Sequence, residues 1–134
     1  MTGSVSPVIT EGLDWAAVGR AHRALELVVL IGSQATGTAH EGSDTDLGVL
    51  GGPGLDLLAV HADLVTTLES DRVDVVDLER ASAVLRRDAA ASGRVVFERA
   101  PGRFVDFQVE ASRFWCDAGS VITAAHQDVL RAFT

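Results

Sequence analysis

The sequence contains no lysine, no tyrosine and only one cysteine. All 11 basic residues are arginines, and they stand against 19 acidic residues, which gives a formal net charge of −8. A protein that binds duplex DNA needs a basic surface to displace counterions from the phosphates, so this balance argues against direct nucleic-acid binding. It favours a protein that holds cations or meets a basic partner.

Disulfides and membrane spans are not expected either. Cys116 has no second cysteine to pair with, which suits the reducing cytoplasm, and we expect it to be buried as a small apolar side chain. The first ten residues lack the charged start and apolar run of a signal peptide. The longest apolar run, Leu27 to Ile31, is far too short to cross a bilayer. We therefore expect a cytoplasmic protein with no membrane partner.

Length and patterning predict one α/β domain. The chain has 134 residues, of which 47% are hydrophobic, as in an ordinary globular domain. In chain order the apolar spacing predicts a helix over Leu13 to Leu25, strands over Leu27 to Ile31 and Asp44 to Leu50, a helix over Leu55 to Glu69, a strand over Val73 to Leu78, a helix ending at Ser92-Gly93, and an edge strand over Arg94 to Glu98. A small mixed sheet with flanking helices follows from this order.

A helical tail is predicted to follow the sheet. We divide the single domain 1–134 into a catalytic core of about 13–98 and a tail of about 101–134, in which the stretch from Phe104 to Trp115 carries an aromatic face. That face belongs either to the core or, in part, to a partner surface.

Three acids on two strands are the main chemical signal. Asp44 and Asp46 are two residues apart on a predicted strand, so both carboxylates project from one face, and Gly48 leaves room beside them. Adjacent carboxylates repel unless one is protonated or a cation lies between them. In a phosphoryl-transfer site that cation is Mg²⁺, and a two-metal site usually needs a third carboxylate. We predict that Asp74 is this third carboxylate, and Asp77 remains the alternative. If Asp77 is not the third carboxylate, we expect it to cap the following helix.

Gly32 and Ser33 end the strand that precedes the aspartates. A glycine lets the backbone approach a phosphate closely, and Ser33 adds a hydroxyl beside main-chain N–H groups. A Gly-Ser pair alone is a common turn. Followed by Asp-x-Asp on the next strand, it predicts a nucleotide-binding site.

The run Gly32-Ser33-Gln34-Ala35-Thr36-Gly37, followed by Ser43-Asp44-Thr45-Asp46-Leu47, resembles the polymerase β nucleotidyltransferase superfamily, and most of all its minimal nucleotidyltransferase (MNT) branch. The resemblance covers about Leu13 to Glu98. It implies that Gly32 and Ser33 hold the triphosphate of ATP, that Asp44 and Asp46 ligate two Mg²⁺ ions, and that Asp74 completes the second metal site and helps to deprotonate the acceptor.

The resemblance also implies a partner. Many MNT proteins are antitoxins that transfer AMP to a tyrosine of a HEPN-domain ribonuclease toxin, and since this chain has no tyrosine, the partner would supply it. One departure concerns Gln34 and Thr36, where the family often has arginine. Arg20, Arg23 and Arg72 are candidates to compensate for the missing charge.

Two other functions remain open at this stage. The acceptor would be a small molecule, such as an aminoglycoside, if a homodimer built an acidic cleft. Alternatively, the loss of the arginines at Gln34 and Thr36 would suit a non-catalytic antitoxin that acts by binding alone.

Overall fold

The structure, a computed structural model, describes residues 13–32 and 45–116. Ser33, Gln34, Thr36 and Asp44 lie outside the described residues, as does the predicted tail beyond Cys116. The described elements are α1 (Trp15–Ala21), β1 (Leu25–Ile31), β2 (Thr45–Gly51), α2 (Leu57–Leu68), β3 (Val73–Asp77), α3 (Ala83–Ser92), β4 (Arg94–Glu98) and α4, which is helical over residues 103–116.

The four strands form one mixed sheet in the order β3-β2-β1-β4. β1 pairs antiparallel with β2 and with β4, and β2 pairs parallel with β3. The mixed sheet and the edge position of β4 were both predicted from the sequence. The parallel pairing is the one that positions the candidate site, because it sets the start of β3 beside the start of β2.

Helices cover both faces of the sheet, and each face has its own apolar core. On the face covered by α1 and α2, strand residues such as Leu30 and Leu47 pack against Val60 and Leu64 of α2. On the face covered by α3 and α4, Val29 and Ile31 pack with Ala89 and Phe107. This face is called the α3/α4 face below. β1 contributes to both cores because its side chains alternate and it is buried along most of its length.

Side-chain caps start three of the helices. The carboxylates of Asp14 and Asp56 accept backbone N–H bonds from the residues three positions on, at 3.1 Å each, and Ser82 does the same for α3 at 3.2 Å. The prediction of one helix over Leu13 to Leu25 is wrong at both ends. Asp14 caps α1 at its start, and Leu25 already belongs to β1, where it pairs with Gly51.

One further expectation needs correction, because Cys116 is exposed rather than buried. The aromatic face lies partly in the core, since Phe107 is fully buried while Phe114 is 39% exposed. No helix in the described part of the chain is long and apolar enough to cross a membrane.

Candidate active site

Asp46 and Asp74 lie side by side on neighbouring strands. The parallel pairing of β2 with β3 sets Asp46 opposite Asp74, directly after the pair Thr45 and Val73. Val73 packs in the core beneath α1 and α2 and its partner Thr45 is fully buried, so alternation turns both aspartates to the α3/α4 face. Adjacent strands are separated by roughly 4.8 Å. Two carboxylates from strands that are distant in sequence therefore share one face at one end of the sheet.

Gly32 borders the Asp46 carboxylate. It follows β1 directly and has a φ of +74°, a conformation that side chains other than glycine rarely adopt. A Cβ atom at this position would lie 3.0 Å from Oδ2 of Asp46. The glycine therefore allows both the backbone turn and the close approach of the carboxylate to the main chain.

Asp77, the alternative third acid, lies on the other face of the sheet. It pairs with Val49, whose side chain is in the core beneath α1 and α2. Its Oδ1 accepts the N–H of Glu79 at 3.0 Å, and its Oδ2 lies 3.8 Å from Nε of Arg80. Of the two acids, Asp74 is thus the one that shares a face with Asp46. Asp77 does not cap α3 either, since Ser82 is the N-cap.

Two of the predicted site residues cannot be placed. Ser33 and Asp44 lie in the stretch between residues 33 and 44, outside the described residues. Within the described residues there is no group of three or more His, Cys, Asp or Glu side chains that could hold a metal ion. The described residues therefore supply two of the three predicted carboxylates, those of Asp46 and Asp74, and the remaining one is that of Asp44.

His61 is a feature of the site that the sequence did not indicate. Its Nε2 lies 2.7 Å from the carbonyl oxygen of Val73, and because a carbonyl only accepts, Nε2 carries the hydrogen. The carbonyl of Arg72 accepts from the N–H of Thr45 on β2, at 2.8 Å. In a parallel ladder the groups of the next residue, Val73, point to the opposite side, which is the edge of the described sheet. His61 thus fixes the backbone directly before Asp74.

The space beside Gly48 is not open, contrary to our expectation. A Cβ atom on Gly48 would come within 2.9 Å of the side chain of Leu78, which packs on the α3/α4 face. Leu78 therefore fills the position next to Asp46 along the strand. Strand alternation gave the correct face for Gly48 but could not show which side chain covers it.

The three arginines considered as compensation for Gln34 and Thr36 lie in different places. Arg72 directly precedes β3 and is the one at the end of the sheet that carries the aspartates. Arg20 lies on α1 with its guanidinium 3.9 Å from Asp14. Arg23 lines a pocket at the opposite end of the sheet.

Residues 16–101 match the polymerase β nucleotidyltransferase family, and the chain belongs to that family. Its mixed sheet with flanking helices is the fold that the sequence predicted. The chain is 41% identical over 73 residues to the protein adenylyltransferase MntA of Shewanella oneidensis. That alignment covers 52% of this chain and 52% of MntA, so the matched stretch spans about half the length of the relative.

Two solved complexes contain similar chains. One is a toxin–antitoxin complex with AMP-PNP, with a TM-score of 0.70 and 29% identity over 87% of this chain and 95% of the other. The second is a tri-AMPylated Shewanella oneidensis HEPN toxin in complex with an MNT antitoxin, with a TM-score of 0.64 and 27% identity over 87% of this chain and 92% of the other.

Proposed function

We propose that this chain is a Mg²⁺-dependent adenylyltransferase that transfers AMP from ATP to a tyrosine of a HEPN ribonuclease toxin and thereby acts as its antitoxin. The observation that carries this proposal is the pairing of Asp46 with Asp74 on one face of the sheet, with Gly32 against the Asp46 carboxylate. The chain has the polymerase β nucleotidyltransferase fold, and the proteins similar to it include an adenylyltransferase and an antitoxin in complex with an AMPylated toxin.

The residues present suit Mg²⁺. Carboxylate oxygens are its preferred protein ligands, and a site open to solvent lets the ion keep several waters. Asp74 is exposed and Asp46 is half-buried, so a metal ion could reach their carboxylate oxygens and still bind water. Asp44, Asp46 and Asp74 would hold the metal, which would supply positive charge to the triphosphate and to the attacking oxygen. Ser33 and the backbone at Gly32 would hold the triphosphate.

The reaction is a displacement at the α-phosphorus of ATP. A bond forms between the tyrosine oxygen and the α-phosphorus, while the bond from that phosphorus to the bridging oxygen of the β-phosphate breaks. Pyrophosphate leaves with the electron pair. The phenolic proton passes to Asp74, which lies exposed at the edge strand where an acceptor can approach. Asp46, whose carboxylate borders Gly32, would lie beside the bound triphosphate.

The acceptor comes from another chain because this one has no tyrosine. The formal net charge of −8 would attract a basic, RNA-cleaving partner and speed its approach. The partner that the negative charge attracts would thus also be the acceptor of AMP.

The test measures intact masses after incubation with Mg²⁺ and ATP, with and without the product of the neighbouring gene. We expect one or more AMP additions on that partner with the wild-type protein, and none with Asp46→Asn or Asp74→Asn. Asp77→Asn is the matched control, because it makes the same change on the same strand but on the opposite face. It should retain transfer, since an amide oxygen can still accept from the N–H of Glu79.

Other outcomes separate the rival functions. A tight complex without any mass gain would favour an antitoxin that acts by binding alone. Transfer to an aminoglycoside without a protein acceptor would favour the small-molecule enzyme. Loss of transfer in Asp77→Asn but not in Asp74→Asn would reverse the assignment of the third acid.

A further inference from the structure

A second pocket lies at the end of the sheet opposite the aspartates. It occupies about 340 Å³ where β1 begins and β2 ends, and its lining includes Arg23, Glu26, Gly52, Arg99 and Arg103. Gly52 lies six positions after Asp46 along β2 and its end, which at about 3.3 Å per position corresponds to roughly 20 Å. The pocket is therefore distinct from the candidate active site. Its volume is near the lower end of the range for small-molecule sites.

Three of the chain's arginines converge on this pocket although the protein as a whole is acidic. Arg103 is neutralised locally, since its Nε lies 2.9 Å from Glu26 and its NH1 group lies 3.5 Å from Glu110. Burial by itself would lower the pKa of Arg103, but the hydrogen bond to Glu26 and the neighbouring carboxylates raise it. Arg103 and Glu26 thus form a charge-balanced wall.

Arg99 is held in place by carbonyl groups rather than by acids. Its Nε donates to the carbonyl of Leu25 at 2.7 Å, and one NH2 group donates to the carbonyls of Gly19 at 2.7 Å and His22 at 3.1 Å. Its other terminal nitrogen has no protein acceptor within residues 13–32 and 45–116. The guanidinium is thus fixed in position while its positive charge has no carboxylate within 4.0 Å in the described structure.

Arg23 adds a second positive charge without a counter-ion. It forms no ion pair in the described parts of the chain, and none of the hydrogen bonds found there uses its five N–H donors. It also lies in the turn between α1 and β1, next to the carbonyl of His22 that Arg99 holds. With Arg103 balanced by Glu26, the pocket keeps two unmatched positive charges, those of Arg23 and Arg99.

We propose that this pocket binds a phosphate monoester or inorganic phosphate through Arg23 and Arg99. Phosphate carries a charge of about −1.5 to −2 near pH 7 and three acceptor oxygens, which match two unpaired guanidinium groups. A carboxylate has a single charge and would leave one arginine unmatched. The methylene stems of the arginines, Pro53 and Ala100 give the pocket apolar walls that suit the organic part of a small phosphorylated ligand.

The proposal is independent of the proposed function, and the test keeps the two apart. Inorganic phosphate and AMP are titrated without Mg²⁺ into the full chain carrying Asp46→Asn, and binding is followed by calorimetry and by amide chemical shifts. We expect saturable binding with shifts at Ala24 and Gly52, weakened at least tenfold in the double variant Asp46→Asn/Arg23→Gln. Tighter binding of AMP than of phosphate would identify an organic ligand, and equal binding would identify the free ion.

Arg20→Gln is the matched control. Arg20 lies three residues before Arg23 on the exposed surface of α1 and is outside the pocket, so the same charge removal there should change the affinity less than twofold. The proposal is overturned if neither ligand binds at concentrations up to about 10 mM, the range of a weak metabolite affinity. It is also overturned if Arg20→Gln and Arg23→Gln weaken binding equally, if acetate binds as tightly as phosphate, or if the shifts centre on Gly32.

Discussion

Replacing Gly32 with alanine would test whether its close approach to Asp46 matters for catalysis. Two effects add at this position. A residue other than glycine at a φ of +74° destabilises the folded state by about 1–3 kcal/mol. The new methyl would also lie 3.0 Å from Oδ2 of Asp46, so the carboxylate would have to move by a few tenths of an ångström. The first effect acts on stability and the second on the site.

Gly54→Ala separates these two effects. Gly54 also has a positive φ, of 90°, but a Cβ atom there would meet nothing within 4 Å. Both variants should therefore lose a similar free energy of unfolding, which thermal denaturation would report as a fall in Tm of roughly 3–6 °C for each kcal/mol in a domain of this size. Only Gly32→Ala should disturb the carboxylate.

The rate of AMP transfer, measured at a temperature where both variants are folded, gives the answer. We expect Gly32→Ala to lower it about tenfold, because a misplacement of about 1 Å at reacting groups can cost roughly a hundredfold and the shift here is smaller. Gly54→Ala should stay within about twofold of wild type. Wild-type activity in Gly32→Ala, or an equal loss in both variants, would refute the reasoning.

Three further substitutions test the parts of the fold that support the site. His61→Leu removes the donor to the carbonyl of Val73, and we expect urea denaturation to show a loss of about 1–3 kcal/mol together with slower AMP transfer, because the backbone before Asp74 is no longer held. Asp56→Ala removes the cap of the same helix and should cost about 0.5–2 kcal/mol without slowing transfer; equal slowing in both variants would mean that His61 acts only through stability. Phe107→Ala empties the centre of the α3/α4 core and should cost about 3–5 kcal/mol in the same denaturation experiment, whereas a loss below about 1 kcal/mol would show that α4 does not pack as described.

Local periodicity was sufficient to predict most of the strands. β4 spans Arg94 to Glu98 as predicted, and β2 and β3 begin within one residue of the predicted positions. The odd separation of Asp74 and Asp77 correctly predicted that they face opposite sides of the sheet, because strand alternation depends on the backbone alone. Features that follow from the geometry of a single strand can thus be inferred without tertiary information.

Features set by contacts between distant segments could not be inferred in the same way. Leu25 belongs to β1, where it pairs with Gly51, and the neighbour of Gly48 is Leu78 from beyond β3. Arg86 is a further example, because its NH1 group donates to the carbonyl of Leu78 at 3.1 Å and its guanidinium lies 4.7 Å from the centre of the Phe114 ring. No local pattern encodes such partners.

The same distinction explains why one end of the sheet could be predicted from the sequence and the other could not. The end that carries Asp46 and Asp74 is built from acids at fixed strand positions, so spacing alone indicates it. The opposite end is built from Arg99 and Arg103, whose partners Gly19 and Glu26 are 80 and 77 residues away. Only the antiparallel pairing of β1 with β4 brings these segments together. An arginine pocket of this kind has no sequence signature, and its binding can be tested while Asp46→Asn disables the candidate active site.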